Sequence, residues 1–412
     1  MTDASEAWAA ARTHFRTLVN AELSPGIRED INRAAKTRNS SEKSLRSPTD
    51  REPFLRYGVA SKIVTKEALH NLVAEEVVTW SEEQEESYLS MILGSPGLRC
   101  ILLTVLCIGE LEMLIQFEEY FLKQRQSKSD HDLPFDMDLA KKVFHENGPR
   151  FFKAQFIFTA VTLTAGTYRV GYQASRLLPY LEQTELGKGA HGIVHKVKIE
   201  RGHFIFQQPR SRNMDPVFLA RKDFRPNFDS FESFKAESRI LKNFVNSSNC
   251  PSSIMTSICS IEYTSPENEF PFSSIFFPEA RSNIDKYIKN HENAPKTDLH
   301  CLQNIKRMLD VCRGLVWLAE NLVYEPIRDE FQNATYYHCD LKPDNILVCD
   351  DGGGDPDSII FKISDFGEAR YIQPKIHINK EVKARPSTNI IKAGAKAVFW
   401  LRRSKIQSSK PP

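Results

Sequence analysis

Residues 336–348 constrain the fold of this chain more than any other stretch. They read Tyr-Tyr-His-Cys-Asp-Leu-Lys-Pro-Asp-Asn-Ile-Leu-Val. Asp340, Lys342 and Asn345 therefore share one turn, and this turn leads directly into an apolar strand. The pattern brings a carboxylate, an ammonium group and an amide oxygen together on one rigid segment. The alternative interpretation is an ordinary surface turn, for which Asp, Pro and Asn are typical residues.

A glycine-rich segment lies upstream and reads Gly-Lys-Gly-Ala-His-Gly over residues 187–192. Taken alone, the G-x-G-x-x-G pattern is weak, because dinucleotide-binding domains and unrelated chains both contain it. A dinucleotide-binding fingerprint must open a helix, whereas residues 195–199 alternate polar and apolar as a strand does. We therefore predict a glycine loop between two antiparallel strands. The sequence has no G-x-x-x-x-G-K-[ST] pattern, which disfavours a P-loop NTPase.

A strand ending in Lys222 and a helix over residues 229–245 follow the loop. Asp229 and Glu232 form a helix-start signal like a capping box. The apolar face of this helix carries Glu237, and a carboxylate on such a face is costly unless it is paired. The alternatives are an ordinary exposed lysine at Lys222 and a solvated Glu237 at the rim of the face.

Residues 360–367 read Ile-Phe-Lys-Ile-Ser-Asp-Phe-Gly, and together with the preceding segments they resemble the domain of eukaryotic protein kinases. Residues 336–347 resemble its catalytic loop in the Ser/Thr form, and residues 217–222 resemble its V-A-I-K strand. The resemblance implies an α+β, two-lobed fold. The β-rich upper lobe would cover residues 181–278, and a partial, helical lower lobe would cover residues 279–370.

The resemblance also implies an enzyme, an ATP-dependent protein serine/threonine kinase that uses Mg²⁺ and phosphorylates a protein substrate. The implied catalytic residues are Asp340, Lys342, Asn345, Lys222 and Glu237, the last two as an ion pair. The implied nucleotide contacts are Leu186, Gly187, Lys188, Gly189, Gly192, Val194, Ala220, Lys222, Phe277, Glu279 and Leu347. Asn345 and Asp365 would bind Mg²⁺, which prefers oxygen ligands.

Two features depart from the kinase pattern. Cys339 stands where many kinases have the arginine of H-R-D, so activation through a phosphorylated loop is not expected. Residues 368–412 lack the A-P-E sequence, so we expect a truncated lower lobe whose exposed apolar surface a partner covers. One alternative function is an ATP-binding pseudokinase or scaffold without phosphotransfer. Another is an adaptor that acts through its N-terminal helices.

Four regions flank the kinase-like segments. Residues 1–60 are polar and are predicted to be mostly disordered, whereas residues 61–148 are predicted to be a helical region. Residues 149–180 are predicted to be a strand-rich connector, because they are aromatic and β-branched near their start. Residues 371–412 form a basic tail that is predicted to be disordered.

Individual elements are predicted from periodicity and composition. The predicted helices outside the segments above cover residues 4–23, 65–80, 85–93, 98–122, 139–145 and 301–321. Strands are predicted over residues 151–163, and a hairpin is predicted over residues 201–213.

Composition limits the class of protein. The formal net charge of +2 makes nucleic acid an unlikely partner. The eight cysteines show no zinc-site spacing and are predicted to be buried, small hydrophobic residues in a reducing compartment. The apolar run at residues 100–109 is shorter than the about 20 residues of a membrane span. With no signal-peptide pattern at the start, we expect an intracellular protein, cytoplasmic or nuclear.

Overall fold

The computed structural model describes residues 2–25, 53–74, 78–173, 176–189, 192–200, 202–206, 216–264, 269–290, 297–321, 335–350 and 358–372. Within this part, helices and sheets are mixed, and the chain divides into two compact units. The first unit comprises Met1–Glu232 and Ile258–Phe277, and the second comprises Ser233–Ser257 and Pro278–Pro412.

Helices form the N-terminal part of the first unit. They are α1 (Thr2–Glu22), α2 (Ala60–Ile63), α3 (Lys66–Ala74), α4 (Glu82–Leu93), α5 (Arg99–Ile108), α6 (Leu111–Phe117), α7 (Met137–Phe144) and α8 (Gly148–Ala154). A π-helix over Glu118–Lys123 continues α6. α5 is almost entirely apolar and buried, as expected of a helix at the centre of a core.

α1 belongs to this helical core. Trp8 and Phe15 lie on one face of α1 and are buried. The indole Nε1 of Trp8 donates a hydrogen bond to the carbonyl of Gly109 at 3.1 Å, directly after the end of α5. The helix predicted over residues 4–23 is thus confirmed. Residues 26–52 lie outside the described residues.

The helices predicted at residues 85–93 and 139–145 are confirmed by α4 and α7. The helix predicted over residues 65–80 is confirmed only up to the end of α3. The single helix predicted over residues 98–122 is wrong, because Gly109 adopts a φ of 76° and ends α5 in a left-handed cap.

The strands predicted over residues 151–163 are wrong for most of that range, because α8 occupies its first part. Phe151 of α8 stacks on Phe144 of α7, with ring centroids 4.3 Å apart. A Cβ at Gly148 would lie 2.5 Å from the Cα of Lys141, so a glycine lets the two helices approach this closely. The aromatic residues therefore stabilise a helix pair, and the connector is largely helical at its start.

The strands of the first unit form a six-stranded sheet and two small sheets. They are β1 (Leu23–Pro25), β2 (Pro53–Leu55), β3 (Leu163–Thr164), β4 (Val170–Gln173), β5 (Tyr180–Lys188), β6 (Gly192–Ile199), β7 (Phe204–Ile205), β8 (Val217–Phe224), β9 (Cys259–Thr264) and β10 (Phe272–Pro278). The order of the large sheet is β4-β9-β10-β8-β6-β5. β5 and β6 are antiparallel, which confirms the predicted glycine loop between antiparallel strands.

Three further strand pairs lie in this unit. β4 adds a strand to the large sheet by pairing in parallel with β9. β7 lies within residues 201–213, where a hairpin is predicted, and it pairs in parallel with β3. Residues 207–215 of that hairpin lie outside the described part. β1 pairs with β2 in an antiparallel ladder.

The second unit contains most of α9 and two further helices with five short strands, within the described residues. The elements are α9 (Phe228–Asn246), α10 (Ile284–Lys289), α11 (Asp298–Asn321), β11 (Ser282–Asn283), β12 (Thr335–Tyr337), β13 (Ile346–Asp350), β14 (Ile359–Ile363) and β15 (Arg370–Ile372). β11, β13 and β14 form an antiparallel sheet, and β12 pairs with β15.

α9 and α11 confirm the helices predicted over residues 229–245 and 301–321. The start of α9 differs from the prediction. The side chain of Asn227 accepts a hydrogen bond from the backbone N–H of Ser230 at 2.9 Å, so the cap is Asn227 and not Asp229.

One face of α11 packs closely on its own unit, and the opposite face is exposed. A Cβ at Gly314 would lie 2.7 Å from Ser253 Oγ and 3.2 Å from Ile363 Cδ1, so the helix approaches β14 at a glycine. The exposed face carries an apolar stripe of Leu302, Ile305, Leu309 and Val316, each 47–62% exposed. Spacings of three and four residues are typical of a surface that packs against another helix. The partner expected to cover the lower lobe remains a prediction.

The cysteines are free thiols. Cys259 and Cys349 are buried as predicted, and burial raises the pKa of Cys259 to about 12 and that of Cys349 to about 11. The prediction of burial is wrong for Cys301, Cys312 and Cys339, which are exposed. Among the described residues, no helix combines the length and the apolar character that crossing a membrane requires.

Candidate active site

Two strand pairs bring the predicted catalytic loop next to Asp365 in the second unit. β12 leads into the loop and pairs with β15, which follows Asp365. β13 begins directly after Asn345 and pairs with β14, which ends directly before Ser364. As a result, Ser364 donates to the carbonyl of Asn345 from its backbone N–H at 2.9 Å and from its hydroxyl at 3.1 Å. The sheet therefore fixes the spacing between the loop and the segment that carries Asp365.

Asp340, Lys342 and Asn345 form one hydrogen-bonded set. Lys342 Nζ donates to Asp340 Oδ2 at 2.7 Å, and Asn345 Nδ2 donates to the same oxygen at 3.0 Å. Asn345 Nδ2 also donates to the backbone carbonyl of Asp340 at 2.9 Å, and the Asn345 side chain is buried. Within the described residues, both hydrogen bonds to the Asp340 carboxylate use Oδ2, which leaves Oδ1 for a further donor. The hydrogen bond to Asp340 raises the pKa of Lys342, so its ammonium group is charged at neutral pH.

Buried aromatic side chains hold this set in place. His338 Nε2 donates to the carbonyl of Ser364 at 2.9 Å, and the backbone N–H of Asp340 donates to the carbonyl of His338 at 2.8 Å. Phe366 is 2% exposed, and its ring centroid lies 5.1 Å from that of His338 and 4.8 Å from that of Phe244 on α9. Burial lowers the pKa of His338, so its ring is neutral at neutral pH.

Asp365 is exposed and has a φ of 63°, a left-handed conformation that Asp tolerates better than most residues. Because Nδ2 of Asn345 donates to Asp340, the amide oxygen of Asn345 is directed elsewhere; this orientation is assigned from the hydrogen bonds. Ser364 precedes Asp365 and donates hydrogen bonds to the carbonyl of Asn345, so it keeps these two residues close together. The amide oxygen of Asn345 and the carboxylate of Asp365 suit Mg²⁺, which binds one or two carboxylates and keeps several waters or phosphate ligands. In the described ranges, no group of three or more His, Cys, Asp or Glu side chains could hold a metal ion.

In the first unit, the glycine loop joins β5 to β6, and β6 pairs with the lysine strand β8. Val194 lies opposite Lys222, and Lys196 lies opposite Ala220. Val194, Ala220 and Lys222 share one face of the sheet, because alternate residues of a strand point the same way. The predicted contacts at the end of β5 and in the loop are exposed and comprise Leu186, Gly187, Lys188 and Gly189. Residues 190–191 at the loop tip lie outside the described residues.

Two glycines of the loop differ in what surrounds them. A Cβ at Gly192 would lie 1.9 Å from the carbonyl oxygen of Asp223, so close packing of β6 on β8 requires glycine there. A Cβ at Gly187 would meet nothing within 4 Å among the described residues. Packing therefore explains Gly192, whereas Gly187 has no such steric reason in the described structure.

Several residues predicted to act together lie in different units. Lys222 belongs to the first unit, and Glu237 belongs to the second, where it is 1% exposed on α9. Phe277 ends the first unit, whereas Glu279 and Leu347 lie in the second. The predicted ion pair and the predicted nucleotide site as a whole therefore stay predictions.

The sequence-based reasoning missed a polar cluster in the sheet of the first unit. Its centre is Asp223, which binds His195, Arg221 and Ser274. A usable signal was present, because strand alternation places Arg221 and Asp223 on the same face as the buried Leu219. The supporting role of His338, which fixes Ser364, was missed as well.

No protein-family model matches the chain, and no curated protein matches its sequence significantly. The function is therefore inferred from the motifs and from the geometry within each unit.

Proposed function

We propose that this chain is an ATP-dependent protein serine/threonine kinase with a two-lobed, kinase-like fold. The observation that carries the proposal is the hydrogen-bonded set of Asp340, Lys342 and Asn345, held next to Asp365 by two strand pairs. Phosphoryl transfer needs an oriented acceptor hydroxyl, a positive charge beside the transferred group and oxygen ligands for a metal ion. The four side chains supply these groups on two neighbouring segments of the second unit.

In the proposed reaction, Asp340 orients the substrate hydroxyl and accepts its proton at Oδ1, while Oδ2 stays bound to Lys342 and Asn345. The hydroxyl oxygen forms a bond to the γ-phosphorus of ATP as the bond to the β-phosphate oxygen breaks. Lys342 offsets the negative charge of the transferred group. Asn345 and Asp365 would hold Mg²⁺, which would offset negative charge on the nucleotide phosphates.

The first unit would bind the nucleotide. Backbone N–H groups of the glycine loop would contact the phosphates, as such loops do in other nucleotide sites. Gly187 supports this role, because no described atom within 4 Å explains the glycine by packing, while a bound phosphate would need close approach to the backbone. Lys222 would contact the α- and β-phosphates from the strand next to the loop, and Glu237 would pair with it.

An ATP-binding scaffold without phosphotransfer is the second candidate function. The exposed apolar stripe on α11 favours it, because a surface of this kind fits a lower lobe that lacks the helices of a substrate platform. The two candidates share the nucleotide site and differ in whether Asp340 acts on a substrate.

Transfer of label from γ-labelled ATP·Mg²⁺ to a basic protein substrate tests the proposal. Asp340→Asn should lower the rate by about 10²–10⁴-fold, the range that a positioned general base contributes. Asp344→Asn is the matched control, since Asp344 is an exposed acid of the same loop that accepts a hydrogen bond from Asn283 Nδ2 at 2.9 Å. This control should transfer label at close to the wild-type rate.

Melting curves with and without ATP·Mg²⁺ separate the two candidates, because a ligand that binds only the folded state raises the melting temperature. A melting temperature raised by ATP·Mg²⁺ without any label transfer would favour the scaffold. Label transfer that is equal in wild type and Asp340→Asn would contradict the proposed mechanism. Neither a shift nor label transfer would contradict both candidate functions.

A further inference from the structure

The polar cluster in the first unit joins three neighbouring strands through one carboxylate. Asp223 Oδ2 on β8 accepts hydrogen bonds from His195 Nδ1 on β6 at 2.8 Å and from Arg221 Nη2 at 2.6 Å. Asp223 Oδ1 accepts a hydrogen bond from Ser274 Oγ on β10 at 2.7 Å. The Asp223 side chain therefore connects the strand that leaves the glycine loop, the lysine strand and the next strand of the sheet.

The cluster is ionic although it is largely shielded from solvent, with the Asp223 side chain 22% exposed. The Arg221 side chain is 0% exposed, and its guanidinium carbon lies 4.7 Å from the centroid of the Tyr180 ring. Burial acts to raise the pKa of Asp223, but the charge of Arg221 and the three hydrogen bonds outweigh it and hold that pKa below its ordinary value. A buried ion pair contributes little net stability compared with apolar residues of similar size. A function in setting the alignment of strands is therefore a better explanation for Asp223 than stability.

The cluster lies directly behind the groups proposed to bind phosphate. The backbone of Gly192, the last glycine of the loop, packs against the carbonyl of Asp223. Two residues further along β6, Val194 lies opposite Lys222. Because side chains alternate along a strand, Lys222 and Asp223 point to opposite faces of the sheet. A slip of β6 against β8 by one residue would invert these faces and separate the loop from Lys222.

We infer that Asp223 is a positioning residue for the phosphates of the bound nucleotide. By binding His195, Arg221 and Ser274, it fixes the register of the glycine loop against the strand of Lys222. This inference rests on the proposed function, because it assumes that the loop and Lys222 bind the phosphates of ATP. Asp223 itself contacts no substrate in this role and acts through the two strands.

Calorimetric titration of the full chain with ATP·Mg²⁺ and with adenosine tests this role, because adenosine lacks the phosphates that the loop and Lys222 would contact. Asp223→Asn keeps the size of the side chain and removes its charge. We expect it to weaken ATP binding by about tenfold or more while adenosine binding stays close to wild type, since a displacement of about 1 Å can cost up to about 10²-fold.

Glu262→Gln is the matched control. Glu262 on β9 accepts a hydrogen bond from Arg169 Nε at 2.5 Å in the same sheet, so the variant removes an ion pair three strands away from β6. It should leave the ratio of ATP affinity to adenosine affinity unchanged. If Asp223→Asn weakens the affinity for ATP and for adenosine by the same factor, the ratio of the two affinities is unchanged. That result would overturn the positioning role.

Ser274→Ala and the wild-type chain provide further tests of the positioning role. If Asp223→Asn does not fold, Ser274→Ala removes one hydrogen bond and keeps the ion pair. Ser274→Ala should weaken ATP binding less strongly than Asp223→Asn does, and it should leave adenosine binding close to wild type. An equal loss of affinity for both ligands would overturn the inference. If the wild-type chain binds adenosine and ATP equally, the proposed phosphate site fails, and the inference fails with it. A wild-type preference for ATP that persists in Asp223→Asn overturns the inference alone.

Discussion

Replacing Gly192 with alanine tests whether β6 and β8 pack as closely as the structure shows. An ideal Cβ at this position would lie 1.9 Å from the carbonyl oxygen of Asp223, 2.9 Å from its carbonyl carbon and 3.4 Å from the Cα of Phe224. Non-bonded heavy atoms need roughly 3.5 Å between them, so the two strands must separate by roughly 1.5 Å at this point. All three contacts are backbone atoms, and none can move aside as a flexible side chain would.

Moving β6 and β8 apart in Gly192→Ala should lower the stability of the sheet. Overpacking of this kind costs about 1–3 kcal/mol, and each ladder hydrogen bond that lengthens loses about 1 kcal/mol of net stabilisation. We expect Gly192→Ala to lower the free energy of opening of β6 and β8 by about 2–3 kcal/mol. A change of this size corresponds to about 30- to 150-fold faster amide exchange where exchange reports local opening.

Hydrogen exchange measured by mass spectrometry on peptides covering residues 192–199 and 217–224 reads this change directly. Gly187→Ala is the control, because a Cβ at Gly187 meets nothing within 4 Å in the described part of the chain. Alanine there should leave protection unchanged or raise it by up to about 1 kcal/mol, through the lower entropy of the unfolded chain. Wild-type protection of β6 and β8 in Gly192→Ala would refute the close approach of these strands.

Two predictions concern the buried residues of each unit. Burial lowers the pKa of His338 and of His203 below the ordinary value of 6.5, so the unfolded chain binds more protons than the folded chain as the pH falls below 6.5. The melting temperature should therefore fall between pH 7 and pH 5, and it should fall less in His203→Gln. An equal fall in wild type and His203→Gln would show that His203 does not contribute to the pH dependence of stability. Trp8→Ala should lower the free energy of unfolding of the first unit by about 3–5 kcal/mol, as for other buried aromatic residues. The surface variant Leu111→Ala should change it by less than about 0.5 kcal/mol in chemical denaturation, and equal effects of the two would show that α1 lies outside the core.

Features encoded over short distances were predictable from the sequence. The turn that carries Asp340, Lys342 and Asn345 leads into a strand as predicted, because the polar residues and the apolar run that follows them are adjacent in the chain. The buried face of α9 with Glu237 was predictable for the same reason, since helical periodicity needs no knowledge of the partner. A helix over most of α1 was also predicted, although the polar composition of residues 1–60 suggested disorder around it.

Features that depend on distant partners were not predictable in this way. Aromatic residues at 151–163 resemble those of a strand, but Phe151 stacks on Phe144 and stabilises a helix pair. Gly109 is one glycine in an apolar stretch, and only its left-handed conformation shows that it ends α5. The bonds from Asp223 reach residues 28 and 51 positions away, so the pattern of one strand cannot show that they share a carboxylate.

The measurement that tests the proposed kinase function most directly is the rate of label transfer from saturating γ-labelled ATP·Mg²⁺ to a basic protein in a single turnover. Wild type and Asp340→Asn are compared in the same preparation, with folding of both checked by melting curves. We expect transfer by the wild type and a rate about 10²–10⁴-fold lower in Asp340→Asn. Equal rates in the two proteins, or no transfer by a folded wild type that binds ATP·Mg²⁺, would contradict it.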